Sequence, residues 1–316
     1  MTEDKNVRAM KIIGRRDLTS YITEFALAPT DDAPLESYGP GAHVTIETPS
    51  GAMRRYSLVG DGLDPETYVI AVKRERESRG GSSSMHEQGE VGRTIMVESP
   101  ENNFNLKSAA KYLLIAGGIG VTPIYSMALR LAADGKDFDI VYCSRSEQEA
   151  AYLSEMKDAF GRRLKVHHDG GDPANAYDFW DHFAEIKNMH VYCCGPKPLM
   201  DEIQAISGHW PEGRVNFEDF KPVEVVRVDD VAFEVELAKS GRTVTVPADK
   251  SILEAIRESG IKTTSSCESG TCGSCKCRLL AGEVDHRDMV LMDEERDDFI
   301  MICVSRAKTG GLIVDL

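Results

Sequence analysis

Apolar and polar positions alternate in short runs through the first hundred residues of the chain. A period of two is typical of strands that bury one face, and turn signals such as "YGPGA" and "GDGLDPE" separate the runs. The runs are "YITEFALAP", "GAHVTIETP", "YVIAVKRE" and "TIMVESP". Several short strands divided by turns predict an antiparallel β-barrel domain over residues 1–105.

The pattern of apolar and polar positions changes at about residue 106. "KYLLIAG" is a continuous apolar run typical of a buried strand, and "TPIYSMALRLAADG" has apolar residues at helical spacing. Further strands and helices then alternate: "FDIVYCSR", "EAAYLSEMKDAFG", "LKVHHDG", "HVYCCGP" and "LMDEIQAIS". This alternation predicts an α/β domain with a parallel sheet and crossover helices over residues 106–225.

Strands return from about residue 226, in "AFEVELAKSGRTVTVPA", where "SG" is a plausible hairpin turn. A helix is predicted in "SILEAIRESG", because Ser251 and Glu254 have the spacing of a capping box and Gly260 follows the last turn. We expect residues 220–230 to link this third domain, residues 226–316, to the second. The chain is thus predicted to be multidomain.

Composition and charge narrow the possible partners. With 316 residues, of which 41% are hydrophobic, the chain can bury two or three cores. The formal net charge of −15 disfavours nucleic acid and anionic membranes as partners. Residues 112–133 are apolar, but they contain Arg130, Pro123 and three glycines, so a strand, a turn and a helix explain them better than a membrane span. We expect a cytoplasmic protein, in which cysteines stay reduced.

Four cysteines lie close together in the segment "SSCESGTCGSCKCRL". Cys267, Cys272 and Cys275 have C-x4-C-x2-C spacing, and Cys303 follows 28 residues later, which is the plant-type ferredoxin spacing for a [2Fe–2S] cluster. The small residues between these ligands let backbone N–H groups approach a negatively charged cluster. A zinc site would favour paired C-x2-C units or histidines. Cys277 is interpreted as a small buried hydrophobic residue, although a strand would point it to the same side as Cys275.

Two glycine turns follow predicted strands of the second domain. They comprise Gly117, Gly118 and Gly120 in "AGGIGVTP", and Cys194, Gly195 and Pro196 in "CCGP". Ligands bind beyond the carboxyl ends of parallel strands, so both turns can face one crevice, where a helix N-terminus attracts phosphate. A third strand ends in Ser144 and Arg145, which are candidates for an adenosine ribose or a phosphate. The alternatives are an ordinary strand–helix turn and a solvated arginine.

The segment "MRRYSL" contains an R-x-Y-S motif. Arg54 and Tyr56 share one strand face, where arginine can pair with a phosphate and tyrosine can pack against a ring. The hydroxyl of Ser57 can hydrogen-bond a flavin nitrogen. Groups suited to the same phosphate occur in "RGGSSS", at Gly80, Gly81 and Ser82. An ordinary barrel strand is the alternative for this motif alone, but its position before the nicotinamide-type turns favours a flavin site.

These motifs in this order, together with "HRDMVL" and "CVSRAK", resemble the phthalate dioxygenase reductase family, the single-chain reductases of two-component Rieske oxygenases. The resemblance implies FMN, NADH, one [2Fe–2S] cluster and a C-terminal β-grasp ferredoxin domain. It also implies roles for particular residues: Arg54, Arg55, Tyr56, Ser57, Ala71, Val72 and Lys73 at the flavin; Gly80, Gly81 and Ser82 at its phosphate; Thr122 and Phe220 near its ring; Cys194 beside the nicotinamide. Arg55 either strengthens phosphate binding or faces solvent.

The expected function is electron transfer. NADH delivers two electrons as a hydride and the cluster accepts one at a time, so a flavin must stand between them. We expect Ser57 and Cys194 to assist the hydride transfer, and a Rieske oxygenase for phthalate or a similar aromatic acid to receive the electrons. The alternatives are another acceptor, such as a vanillate-type Rieske demethylase or a hybrid-cluster or haem protein, and a non-catalytic iron–sulfur carrier. The protein is expected to be a monomer.

Overall fold

The computed structural model describes residues 7–31, 33–75, 80–211, 213–220, 227, 229–261, 263, 265, 270, 273, 275–288 and 290–316. The chain divides into two compact units, residues 1–218 and 219–316. The predicted boundary at residue 105 falls inside the first unit, and the boundary at residue 225 lies outside the described residues. Both domain boundaries stay predictions.

The first unit begins with an antiparallel barrel. Its strands are β1 (Val7–Asp17), β2 (Ile22–Pro29), β3 (His43–Glu47), β4 (Met53–Ser57), β5 (Tyr68–Lys73) and β6 (Thr94–Glu98), with helix α1 (Gly81–Gln88) between β5 and β6. They are ordered β4-β3-β6-β1-β2-β5, and a bridge between Leu58 and Ile70 joins the two edges. Strand β1 was not among the predicted strands, since a register shift between Ile12 and Gly14 interrupts its alternation.

A parallel sheet follows, as predicted. Its elements are β7 (Lys111–Gly117), α2 (Val121–Ala133), β8 (Asp137–Ser144), α3 (Leu153–Phe160), β9 (Leu164–His168), α4 (Trp180–Phe183), β10 (His190–Cys194), α5 (Lys197–Ser207) and β11 (Val215–Glu218). The order is β11-β10-β7-β8-β9, and every pairing is parallel. Helix α3 begins later than predicted, because Tyr152 adopts a left-handed conformation with φ of 59° just before it.

The barrel and the parallel sheet share one hydrophobic core. Barrel-side residues and sheet-side residues pack in a single buried cluster that includes Ile22, Ala71, Phe104, Leu114 and Ile124. The Ser126 hydroxyl of α2 donates to the Gly60 carbonyl at 2.6 Å, and the Tyr21 hydroxyl donates to Glu149 at 2.7 Å. The edge of the barrel is therefore held at a defined position beside the parallel sheet.

The second unit is a mixed sheet with one helix. Its elements are β12 (Phe233–Leu237), β13 (Arg242–Val246), α6 (Ile252–Glu258), β14 (Lys276–Asp285), β15 (Phe299–Met301) and β16 (Arg306–Val314). The order is β13-β12-β16-β14-β15, with β12 and β16 parallel. The predicted capping box is present, since the Ser251 hydroxyl accepts from the Glu254 N–H at 3.1 Å and the Ser251 N–H donates to Glu254 at 2.8 Å.

A buried ion network fixes the start of this unit. Arg306 is 1% exposed, and its Nε lies 3.4 Å from Asp230 Oδ2. Its guanidinium also lies over the Phe233 ring, 4.9 Å from the centroid, and donates to backbone carbonyls. Arg287 donates to the same Asp230 carboxylate at 2.8 Å, which lowers the pKa of Asp230 to about 2. Buried charges are tolerated when they are paired in this way.

Candidate functional site

Arg54 lies against the N-terminal turn of α1. A Cβ on Gly81 would stand 2.7 Å from Arg54 Nε, so no larger residue fits there without displacing the guanidinium. Gly80 precedes the helix with φ of 92°, a conformation that favours glycine. The first N–H groups of a helix have no partner within the helix. We call Arg54, Gly80, Gly81 and Ser82 the phosphate cradle below, because their donors would suit a flavin phosphate, a role that stays a prediction.

Tyr56 and Ser57 lie on opposite faces of β4. Tyr56 packs against the barrel core, and burial raises its pKa to about 12. Ser57 is 5% exposed, and its hydroxyl has no hydrogen-bond partner among the described residues. A buried hydroxyl without a partner costs roughly 1–3 kcal/mol. Such a group is suited to a polar atom of a bound cofactor, so this observation also fits a flavin.

Arg55 shares the Ser57 face of β4. Its guanidinium is half-buried and donates to Nε2 of His43, on the neighbouring strand β3, and Glu101 lies 3.9 Å from the same nitrogen. Strand alternation turns Arg55 away from the face of Arg54, and its contact with His43 leaves it only partly exposed to solvent. Its predicted role in flavin binding stays a prediction.

Three further flavin candidates lie in β5. The Val72 side chain is fully buried in the barrel core, and its carbonyl accepts a hydrogen bond from His86 at 2.9 Å. Ala71 is buried in the core that the barrel shares with the sheet, and Lys73 pairs with Glu75 at 2.9 Å. Val72 therefore has only its backbone to offer a cofactor.

The two glycine turns of the parallel sheet are in contact with each other. A Cβ on Gly117 would lie 2.6 Å from Pro196 Cδ, and one on Gly120 would lie 2.2 Å from the Cys194 carbonyl oxygen. A Cβ on Gly195 would lie 3.0 Å from the Gly117 Cα atom. The ends of β7 and β10 thus approach each other so closely that only glycine fits, and the turns lie side by side as expected.

The next residues complete the first of these turns. Gly118 has φ of 53°, and no atom lies within 4 Å of the position that a Cβ would occupy. Thr122 is 2% exposed, and its hydroxyl donates to the Ile119 carbonyl at 3.1 Å. Gly118 therefore presents open backbone to a ligand, whereas the Thr122 hydroxyl is engaged in holding the turn.

Glu218 is a site residue that the sequence analysis missed. It pairs with Cys194 across β10 and β11, and its buried Oε2 has no hydrogen-bond partner in the part of the chain that the structure describes. Burial raises the pKa of Glu218 to about 8, and the nearby Arg55 opposes that rise. The charge of Arg55, on the Ser57 face of β4, therefore acts on Glu218 at the end of β11. The segment "FEDF" was considered only for Phe220, although the end of a parallel strand is itself a signal.

The adenosine candidates end strand β8. The Ser144 hydroxyl donates to the Ser146 carbonyl at 3.1 Å and lies 2.8 Å from Nδ1 of His168, so it accepts from the Nδ1–H tautomer. Arg145 is exposed, and its Cδ would lie 3.7 Å from a Cβ on Gly171. The Ser144 hydroxyl is already engaged, and binding of a ribose by either residue stays a prediction.

Two of the four predicted cluster ligands lie in the core of the second unit. Cys275 and Cys303 are 4% and 2% exposed and belong to the same buried cluster. Gly270, between the other two predicted ligands, has φ of 73°, and its Cβ would stand 2.8 Å from Val304 Cγ2. The ligand loop therefore contacts the residue that follows Cys303, and the thiols present fit a [2Fe–2S] cluster.

Cys277 is buried beside them, at 7% exposure. Its thiol donates to the Arg278 carbonyl at 3.7 Å, and burial raises its pKa. Both observations favour a protonated thiol, whereas a metal ligand must be a thiolate. They support the interpretation of Cys277 as a buried hydrophobic residue, which stays a prediction.

Three predicted residues cannot be related to these sites. Cys267 and Cys272 lie outside the described residues. Phe220 belongs to the second unit and is 42% exposed. Their predicted roles stay predictions.

Known proteins resemble the chain over its whole length. An "Oxidoreductase NAD-binding domain" model matches residues 114–205, and a "2Fe-2S iron-sulfur cluster binding domain" model matches residues 235–308. The phthalate dioxygenase reductase of Burkholderia cepacia is 44% identical over 97% of this chain and 97% of its own. A reductase subunit of phthalate 4,5-dioxygenase from Pseudomonas putida is 44% identical over 99% and 98%.

A solved structure also resembles this chain over its whole length. Phthalate dioxygenase reductase, described as a modular structure for electron transfer from pyridine nucleotides to [2Fe–2S], superposes with a TM-score of 0.86 at 43% identity, covering 98% of each chain. The chain belongs to the phthalate dioxygenase reductase family. Membership in this family confirms the predicted fold, the cofactor set of NADH, FMN and [2Fe–2S], and the oxidoreductase function. It disfavours a non-catalytic carrier. No helix in the described ranges is long and apolar enough to span a membrane.

Replacement of Glu218 by glutamine should stabilise this phthalate dioxygenase reductase family member more at pH 8 than at pH 5. The pKa near 8 in the folded chain exceeds the ordinary value of 4.5. Between these values the unfolded chain releases a proton that the folded chain keeps, so folding loses stability as the pH rises. At pH 5 this loss has only begun, and at pH 8 it is nearly complete.

Thermal unfolding of the wild type and Glu218→Gln from pH 5 to pH 8 measures this difference. Glu185→Gln is the matched control, because Glu185 is exposed in the same unit. A stability gain that is equal at both pH values would show that the Glu218 carboxyl titrates normally.

Proposed function

We propose that this chain is the reductase component of a two-component system and passes electrons from NADH through FMN and a [2Fe–2S] cluster to a Rieske oxygenase for phthalate or a similar aromatic acid. The observation that carries the proposal lies at the ends of strands β4 and β11 in the first unit. Two buried polar atoms there, Ser57 Oγ and Glu218 Oε2, have no partner among the described residues. The two relatives from phthalate systems support the choice of partner.

The residues of β4 would hold FMN. Arg54 and the phosphate cradle would bind the phosphate, Tyr56 would pack against the ring, and the Ser57 hydroxyl would donate to a ring nitrogen. Arg55, Ala71, Val72, Lys73, Thr122 and Phe220 are proposed to line the remaining surface. When bound, FMN accepts the electron pair of a hydride and can return the electrons singly.

The glycine turns would hold NADH. Gly118 would let the dinucleotide approach the backbone, the close contacts of Gly117 and Gly120 would hold the turn beside it, and the start of α2 would favour its phosphates. Cys194, Gly195 and Pro196 would position the nicotinamide, and Ser144 and Arg145 would meet the adenosine end. The chain's own part in the reaction is therefore to align two rings and exclude water, which lowers the entropic cost of hydride transfer.

The second unit would hold the cluster through Cys267, Cys272, Cys275 and Cys303. Burial of the described thiols Cys275 and Cys303 protects such a site from water and oxidants. We further propose that residues 1–105, 106–225 and 226–316 are the flavin, nicotinamide and ferredoxin domains, and that the protein is a cytoplasmic monomer without nucleic-acid or membrane partners. The formal net charge of −15 supports the exclusion of anionic partners.

Coupled turnover with purified Rieske oxygenases tests the function. We expect NADH oxidation to be coupled to product formation most rapidly with a phthalate oxygenase, and more slowly with a vanillate-type demethylase. A haem protein is tested as a third electron acceptor in the same assay. Rapid reduction of an acceptor dye, without product from any Rieske oxygenase, would contradict the proposed partner.

Ser57→Ala should slow reduction of the bound FMN by NADH by about 10-fold, because one hydrogen bond of about 1.4 kcal/mol is lost. FMN should stay bound, since the phosphate cradle is intact. Stopped-flow absorbance measures the rate, and Ser37→Ala, an exposed residue of the same unit, is the control. An unchanged rate would remove Ser57 from the mechanism.

Cys303→Ser should abolish the visible absorbance of the cluster and the delivery of electrons to an oxygenase. NADH-dependent reduction of a two-electron dye should persist, because that reaction needs only the flavin. Cys277→Ser is the matched control and should keep its cluster. If Cys277→Ser lost the cluster and Cys303→Ser kept it, the ligand assignment would be wrong.

A further inference from the structure

Three segments of the second unit meet at Gly270. A Cβ on this glycine would stand 2.8 Å from Val304 Cγ2 and 3.2 Å from the Cα atom of Asp288. Gly270 lies between Cys267 and Cys272 in the sequence, and Val304 directly follows Cys303. The loop of predicted ligands, the segment of the fourth ligand and the "HRDMVL" segment are therefore in direct contact.

Asp288 joins these segments through its carboxylate. Its side chain has no exposed surface, and its Oδ2 accepts from the N–H groups of Leu291 at 2.8 Å and Val290 at 3.2 Å. These bonds form a tight turn that delivers Leu291 into the buried cluster containing Cys275 and Cys303. The turn thus depends on an acceptor at Asp288.

Ser305 connects Asp288 to the Cys303 segment. Ser305 is fully buried, and its hydroxyl accepts from the Arg287 N–H at 3.2 Å and donates to Asp288 Oδ1 at 3.4 Å. The Ser305 N–H bonds the Met301 carbonyl at 3.0 Å, which closes a turn around Cys303. The Asp288 carboxylate therefore accepts hydrogen bonds from three donors. Two are N–H groups of the "HRDMVL" segment, and the third is the Ser305 hydroxyl in the Cys303 segment.

The partners of the Asp288 carboxylate are hydrogen-bond donors. Among the described residues, it forms no ion pair with an arginine or a lysine. The neighbouring Arg287 guanidinium is directed to Asp230 and Asp285. His286 donates from Nε2 to the Arg296 carbonyl at 3.0 Å, which leaves its Nδ1 facing Asp288 Oδ1 at 3.6 Å. A buried acidic group therefore lies beside Gly270 of the ligand loop and is held by hydrogen-bond donors of the same unit.

We propose that Asp288 is a positioning residue of the [2Fe–2S] site. Its carboxylate holds the turn that leads to Leu291. Through Ser305, it also holds the segment of Cys303 against Gly270 of the ligand loop. Groups that orient metal ligands control both the retention and the potential of a metal site. The inference rests on the proposed function, since it assumes that the cluster binds at these cysteines.

The test compares Asp288→Asn and Ser305→Ala with the wild-type holoprotein. Asp288→Asn keeps the shape of the side chain but removes its charge and one of its two acceptor oxygens. Ser305→Ala removes one donor and keeps the charge. Asp297→Asn is the matched control, because it removes the same charge from an exposed position in the same unit.

Three measurements separate positioning from a general loss of stability. They are the EPR g-values of the reduced cluster, its reduction potential, and the rate at which a chelator removes it. We expect Asp288→Asn and Ser305→Ala to shift the g-values and to lose the cluster about 10-fold faster. Asp288→Asn should also raise the reduction potential, because a negative charge that opposes reduction is gone. Reduction of FMN by NADH should be unchanged in all variants.

Unchanged g-values, potential and loss rate in Asp288→Asn and Ser305→Ala, relative to Asp297→Asn, would overturn the proposal. If Asp288→Asn fails to fold, Ser305→Ala alone decides by the same criteria. A wild-type protein that binds FMN but no cluster would contradict the proposed function itself, which is a distinguishable result.

Discussion

The hydrophobic core that the barrel shares with the parallel sheet is the constraint on which the flavin and nicotinamide site depends. Ile22 and Ala71 pack in one cluster with Leu114 and Ile124, so the barrel edge cannot slide along the sheet without exposing apolar surface. Hydride transfer requires two rings to meet within a narrow range of distance and angle. A continuous core provides that rigidity where a flexible linker between domains would not.

Polar groups in the two units serve different purposes. In the second unit, Arg306 and Asp230 satisfy each other and neighbouring backbone carbonyls, so their charges are matched inside the fold. In the first unit, Ser57 and Glu218 carry buried polar atoms without partners in the described part of the chain. Such atoms oppose folding. Their presence at the strand ends is the pattern expected of a site built for a bound cofactor.

Glycine has two different uses in this chain. At Gly120 and Gly195 it permits backbones to touch, which brings two strand ends together. At Gly80 and Gly270 it permits a left-handed conformation, in the phosphate cradle and in the loop of predicted cluster ligands. Both uses follow from the missing Cβ.

Local patterns in the sequence determined much of this protein. Periodicity predicted the barrel strands β2, β3, β5 and β6 and the alternation of the parallel sheet, and cysteine spacing predicted the iron–sulfur domain, because these signals are carried by residues close together in the chain. Tertiary structure alone decided that Arg55 contacts His43, that Glu218 pairs with Cys194, and that Asp288 lies beside Gly270. Each of these features depends on burial and on contacts between segments that are distant in the sequence. Burial determines the free-energy cost of a polar group without a partner, and contacts between distant segments produce no periodic pattern in the sequence.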